Sequence, residues 1–264
     1  LIMSLNSKPL ILNCYTTDAT VYNNAKINYA TKFMPNWFKK TPNEVALKDG
    51  TKVGTIKNCH GITEMYRTAI VIPCWTEFTL DILHKDEEDF YRWRTAKSNF
   101  EVKPHPHVQY KKFAGKNGAS IKLVSPWMFQ CDEEVNFVWH QPTWNMRDIL
   151  DKLTLLPATV DYYTQHATEI NYFLVRRDFE RKVVLKALEP LVMIQAMDPR
   201  RIEIKNHLIT EEEKQSRLYW YNDLEAPDAT FASRTRRLDR IALQKRIEYL
   251  NSDEDCPFQK TEKE

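Results

Sequence analysis

Four stretches near the middle of the chain read LLPATVDYYT (155–164), EINYFLVRR (169–177), KVVLKALEPLVMIQAMD (182–198) and RIEIKN (201–206). Each is rich in β-branched and aromatic residues, and each ends within a few residues at a proline or a polar cluster. They predict strands. Many short strands with turn signals between them argue for a sandwich or barrel rather than alternating β and α units.

The same signals extend toward the N-terminus. EVNFVWH (134–140) is rich in Val and aromatic residues. KFAGKNGASIKLVSPW (112–127) places a turn at Gly115–Gly118 between two extended runs, which is a hairpin signal. In FYRWRTAK (90–97), Phe90, Arg92, Arg94 and Ala96 alternate with Tyr91, Trp93 and Thr95. In IVIPCWTEFTLDIL (70–83), the polar Thr76, Thr79 and Asp81 interleave with Trp75, Phe78, Leu80 and Ile82, and Pro73 marks an edge or a strand start. CHGITEMYRTA (59–69) spaces Ile62, Met65, Tyr66 and Ala69 as a helix does, and Pro35 interrupts any helix begun in NYATKFMPNWFKK (28–40). KPLILNCY (8–15) reads as a strand.

Beyond residue 208 the pattern changes. Thr210 is a plausible helix N-cap followed by three Glu, EAPDATFA (225–232) reads as a linker, and SRTRRLDRIALQKRIEYLN (233–251) is the clearest helix in the chain. The expectation is a mainly β (α+β) protein. Its body (1–207) is an antiparallel β-sandwich of jelly-roll-like form with a short N-terminal helical segment. A helical C-terminal extension (208–251) and a polar, flexible tail (252–264) follow.

Composition bounds the function classes. The chain has 264 residues, 42% of them hydrophobic and 12% aromatic, enough for a real core. Lys plus Arg number 38 against 36 acids, and a net charge of +2 does not favour nucleic-acid binding. The five glycines (Gly50, Gly54, Gly61, Gly115, Gly118) cannot compose a Rossmann or P-loop phosphate cradle. The five cysteines (Cys14, Cys59, Cys74, Cys131, Cys256) include no C-x-x-C pair, so neither a disulfide framework nor a four-cysteine zinc site is expected, and a reducing intracellular setting is. No apolar run reaches membrane-spanning length, and the start LIMSLNSKPLILNCY does not read as a signal peptide.

Three groups of residues could carry chemistry. The first is VKPHPHV (102–108), where His105 and His107 at i and i+2 would face one side of a strand. With Glu134 and His140 they could hold iron, manganese or zinc in a cupin-like enzyme of oxygenase type. Pro104 and Pro106 speak against a central strand there, and the plainer reading is an extended surface connection with no cofactor. The second group is Trp127, Trp139 and Trp144, whose rings could stack on sugars in a carbohydrate-binding module, against the plainer reading of core packing. The third is the 233–251 helix. From Arg234 to Glu248 it carries six basic residues and two acids, among them Arg236, Arg237 and Arg240. Leu243, Ile247 and Leu250 lie on a different side from Leu238, Ile241, Ala242 and Tyr249. A helix apolar on two sides touches two things: the chain's own core and a protein partner or second copy, or, on the plainer reading, a sheet and the preceding helix.

The order of MPNWFKK, TIKNCHGITEMYRTAIVIPCWTEFTL, SIKLVSPWMF, TVDYYT with INYFLVRR, and LEPLVMIQAMD resembles an uncharacterised β-rich family of tailed phages, cyanophages included, and some bacteria. The likeness covers about two-thirds of the chain. Leu188-Glu189-Pro190 and Gln130-Cys131-Asp132 stand where that family favours glycine turns. The resemblance implies a phage setting, in the host cytoplasm or the virion, and no reaction. The resulting expectation is a phage-encoded, non-enzymatic binding or assembly protein, with the metal enzyme and the carbohydrate-binding module as alternatives.

Overall fold

A computed structural model describes residues 8–85, 88–95, 101–105, 118–145, 153–163, 165–175 and 181–222. The chain divides into two units, Leu1–Thr210 and Glu211–Glu264. The first is β-rich and built from several sheets.

Its largest sheet is assembled on one long strand, β9 (Gly118–Cys131), which pairs with three others.

Along one edge β9 pairs with β13 (Ala167–Val175); along the other it pairs first with β8 (Glu101–Pro104) and then with β1 (Leu10–Thr16). Two outer strands, β11 (Thr154–Leu155) beside β13 and β16 (Ile202–Leu208) beside β1, complete this sheet.

The hand-over from β8 to β1 falls at Ser125-Pro126-Trp127. β8 matches residues 121–124 of β9 and β1 matches residues 128–131. Proline donates no ladder hydrogen bond, and Pro126 sits in the gap where neither strand needs one. Across the other edge the register with β13 shifts between Ala167 and Glu169, so one residue, Thr168, faces three. The Thr168 hydroxyl donates to the Trp127 carbonyl inside this bulge. Trp127 itself is fully buried, and its indole Nε1 donates to the Ala25 carbonyl at 3.2 Å.

A second sheet runs β12 (Thr159–Asp161), β10 (Asn136–His140), β15 (Pro190–Ala196), β5 (Ile70–Pro73) and β2 (Asn28–Tyr29). The two sheets share one core. Leu10, Leu12, Leu123, Phe129, Ile170 and Tyr172 from the first meet Ile70, Ile72, Phe137, Trp139, Val192 and Ile194 from the second. Tyr172 crosses between them, its hydroxyl donating to the Leu191 carbonyl at 2.6 Å. Phe78 and Leu80 of β6 (Phe78–Lys85) and Val183 and Leu185 of β14 (Arg181–Leu185) join the same core from a third sheet, which β7 (Glu88–Thr95) completes.

The other side of the second sheet is covered by α3 (His60–Thr68), reached through the short helices α1 (Ala19–Asn24) and α2 (Asn36–Lys40). Ile62, Tyr66 and Ala69 pack with Phe38 and Ala30 on Val71 and Met193. The helix expected at 59–69 is thus present, with its i, i+4 apolar pair turned inward. Pro35 does separate two helical pieces: a 3-10 turn at Ala30–Phe33 ends before it, and α2 starts after it. A two-stranded sheet, β3 (Glu44–Ala46) with β4 (Lys52–Gly54), was not foreseen in the sequence. The Gly115–Gly118 turn lies largely outside the described residues.

One expectation needs correction. The described strand pairs of the body are antiparallel as expected but for one: β1 and β16 pair in parallel from Leu10↔Ile202 to Thr16↔Leu208. These are the first and last strands of the unit, joined by the whole intervening body, so no hairpin constrains their direction. In the second unit, the described residues form α4 (Glu211–Asn222), with Glu211, Glu212 and Glu213 in its first turn, where they complement the helix dipole. The basic helix expected at 233–251 lies outside the described residues.

Between β14 and β15 the chain turns through Leu188 at φ 69°, the one described non-glycine residue with positive φ. Its side chain is 53% exposed, so it recovers little by packing. The left-handed conformation costs an L-residue about 1–2 kcal/mol, and glycine's freer unfolded chain takes back about 0.5–1 kcal/mol of that. Leu188→Gly is expected to stabilise the protein by about 0.5 kcal/mol, and Leu188→Val to destabilise it, in urea titrations of the two variants.

Candidate functional site

The structure scatters the proposed metal ligands. β8 ends at Pro104, and His105 follows it on the outer side of the first sheet. There its backbone N–H donates to the Ser120 carbonyl at 3.0 Å, and its Nε2 lies 3.0 Å from the Asn171 side-chain oxygen. His140 is the last residue of β10 and pairs in register with Met193, so it faces the α3 side of the second sheet. The shared core lies between these two outer faces. Stacked sheets stand about 10 Å apart, whereas a shared zinc ion would need each nitrogen at about 2.0–2.2 Å. Glu134 is exposed and precedes β10, at the opposite end from His140, which at about 3.3 Å per residue is a further separation of about 13 Å. His107 lies outside the described residues. His105 and His140 are therefore not brought together, because the strands that carry them put the two rings on opposite sides of the core.

The remaining described histidines of the body that stood out in the sequence or the sheets have local partners. His166 has Nδ1 at 2.9 Å from the Phe129 carbonyl, to which it donates. His207 lies with Nε2 3.0 Å from the Asn13 side-chain oxygen and stacks on Tyr15 with ring centroids 4.9 Å apart. Among the described residues no group of three His, Cys, Asp or Glu side chains is placed to hold a metal ion.

The tryptophan group also divides. Trp127 and Trp139 are buried, so neither can offer a ring face to a sugar, and their reading as binding residues is corrected. The cause is strand phase, which turns both rings inward. Trp139 Nε1 donates to the Tyr162 hydroxyl at 2.9 Å, and the Tyr162 ring lies between Phe129 and Phe137 with centroids 5.1 and 4.9 Å away. Trp144 is half-buried on the α3 side, where its carbonyl accepts from Trp37 Nε1 at 3.0 Å. The neighbouring Asn145 ties that loop down, accepting from the Tyr66 hydroxyl at 2.5 Å and donating to the Phe33 carbonyl at 2.6 Å. The partner-contacting residues Arg236, Arg237, Arg240, Leu243, Ile247 and Leu250 lie outside the described residues.

Nucleophilic chemistry is disfavoured at the buried thiols. Burial pushes the Cys74 thiol up to about 12, and its Sγ donates to the Thr76 carbonyl at 2.9 Å. Burial also raises Cys14 and Cys131. A thiol held protonated is a poor nucleophile.

Exposed apolar side chains concentrate in one segment of the chain. Trp37, Val45, Leu47 and Ile56 are four of the eight large apolar side chains found exposed among the described residues, and all four fall between 36 and 58. This segment comprises α2, the β3–β4 hairpin and a 3-10 turn at Ile56–Asn58. Sequence reading passed over the hairpin, although Lys48-Asp49-Gly50 between VAL and TKV is a turn signal. Gly50 adopts φ +84°, a conformation natural to glycine, and Asp49 accepts from the Thr51 N–H at 2.9 Å. Lys39, Lys40, Lys48, Lys52 and Lys57 surround the apolar residues in sequence, against only Glu44 and Asp49. Exposed apolar side chains and lysines thus alternate along one segment of the chain.

No family model matches the sequence, and no curated protein matches it. No helix among the described residues is long and apolar enough to cross a membrane.

Cys59 is exposed while Cys14, Cys74 and Cys131 are buried. In a Cys256→Ser background, one thiol, that of Cys59, is expected to react with Ellman's reagent in the native protein near neutral pH, and the other three only after denaturation. Rapid native labelling of Cys14, Cys74 or Cys131, read by peptide mass mapping, would contradict the described core.

Proposed function

We propose that the chain is a phage-encoded binding and assembly protein, acting without catalysis in the host cytoplasm or in the virion. On this reading the body is a β-sandwich of the jelly-roll kind, and the helical C-terminal extension makes a further contact with a protein partner or a second copy. The observation that carries the reading is the concentration of exposed Trp37, Val45, Leu47 and Ile56 in one lysine-rich segment. Isolated exposed apolar residues are ordinary; four within a short segment, bordered by charge of mainly one sign, are characteristic of an interaction site. The two-sided basic helix at 233–251 supports the same role from the sequence. The phage setting rests on the order of sequence pieces from MPNWFKK to LEPLVMIQAMD.

The full-length protein, tagged and expressed where it is naturally made, should co-purify with a partner that is lost from a Trp37→Ser, Leu47→Ser double variant of unchanged thermal stability. Identical co-purifying proteins with both versions, or none with either, would contradict the reading.

A further inference from the structure

The hairpin is open along its edge as well as across its face. In its ladder, Thr55 N–H donates to the Asn43 carbonyl at 2.9 Å and Leu47 N–H to the Thr51 carbonyl at 2.8 Å, with Val45 opposite Val53 between them. Antiparallel pairs alternate between hydrogen-bonded and non-bonded, so Glu44 and Ala46 direct their N–H and C=O groups away from β4. Among the described residues no further strand pairs with β3. A two-stranded sheet alone is marginal in water, and a third strand would complete it.

Side chains on β3 give the open edge a character. Val45 and Leu47, two apart, share a face and are 41% and 48% exposed. Val53, their neighbour on β4, is half-buried, so β3 is the more open strand. Glu44 and Ala46 share the other face with Lys52, which lies opposite Ala46, so that face of the hairpin carries one acid and one lysine within a segment of five lysines and two acids. Lys39, Lys40, Lys48, Lys52 and Lys57 form no ion pair among the described residues.

We propose that β3 is the docking edge for an extended, acidic segment of a partner protein, which adds to the hairpin as a third strand. This rests on the binding role proposed above and names its partner chemistry. Backbone groups of Glu44 and Ala46 supply the hydrogen bonds, as in other strand-addition complexes. Alternate apolar side chains of the incoming segment cover Val45 and Leu47, and its carboxylates lie on the side of Lys52. A second copy of this chain fits less well, since pairing β3 with itself would set one lysine-rich segment against another. Nucleic acid fits less well too, because the open edge presents acceptors as well as donors and the segment exposes one aromatic ring, that of Trp37.

The test measures fluorescence anisotropy of the full-length protein with four labelled probes: a repeating Glu-Val peptide, a repeating Lys-Val peptide, a repeating Glu-Pro peptide and oligothymidylate. The Glu-Val peptide is expected to bind best, and more tightly as salt is lowered. Ala46→Pro removes the outward N–H while sparing the ladder to β4, and is expected to weaken binding about tenfold or more. Lys48→Glu with Lys52→Glu, which leaves the edge intact, is expected to do the same. Circular dichroism of each variant should match the parent. Equal binding of the Glu-Val peptide by the parent and by Ala46→Pro would overturn strand addition, while a partner still lost from the Trp37, Leu47 variant would leave the binding role standing. Tighter binding of oligothymidylate, or a concentration-dependent dimer in light scattering that Ala46→Pro abolishes, would also overturn the proposal.

Discussion

The body depends on one strand changing partners along one of its edges. β9 must serve β8 along its first half and β1 along its last, and a continuous ladder would leave no place for the change. Pro126 supplies the break, and the bulge opposite Thr168 absorbs the extra length on the β13 side. Trp127, next in sequence, turns inward and fills the space beneath, anchored to the Ala25 carbonyl. Covalent geometry and core packing thus act at one point. Without the hand-over β1 would lose its place between β9 and β16, and the parallel pairing of the unit's first and last strands would go with it.

A core fixed in this way leaves little chemistry inside. Its polar members are spent on one another: Trp139 on Tyr162, Tyr172 on Leu191, Cys74 on Thr76. Buried polar groups that find partners specify an arrangement, and losing one costs about 1–3 kcal/mol. Burial also raises Tyr162 and the buried cysteines, keeping them protonated. The α2–hairpin segment, by contrast, is mostly exposed.

Much of the layered body could be read from local sequence. Period-two alternation marked β6 and β7, and Val, aromatic and other apolar density marked β10, β13 and β15. The helix at α3 was legible in the same way, through Ile62 and Tyr66. Pairing direction was not legible, since nothing in LILNCYT or IEIKNHL states which strand will lie beside it. Nor was the facing of single residues: His105 and His140 look alike in sequence, but one sits outside the first sheet and the other on the far side of the second. Trp127 could have offered its ring to a ligand, yet it shares the phase of Ile121, Leu123 and Phe129 on β9 and turns inward. The hairpin was missed because its strands are three residues each and exposed, so they lack the alternation that burial imposes.

Residue-resolved amide hydrogen exchange on the full-length protein tests this account most directly. It predicts the slowest exchange in β1, β9, β13 and β15, with Glu44 and Ala46 exchanging near the rate of unstructured chain. Fast exchange across residues 121–131, or protection at Glu44 and Ala46 in the free monomer, would contradict it.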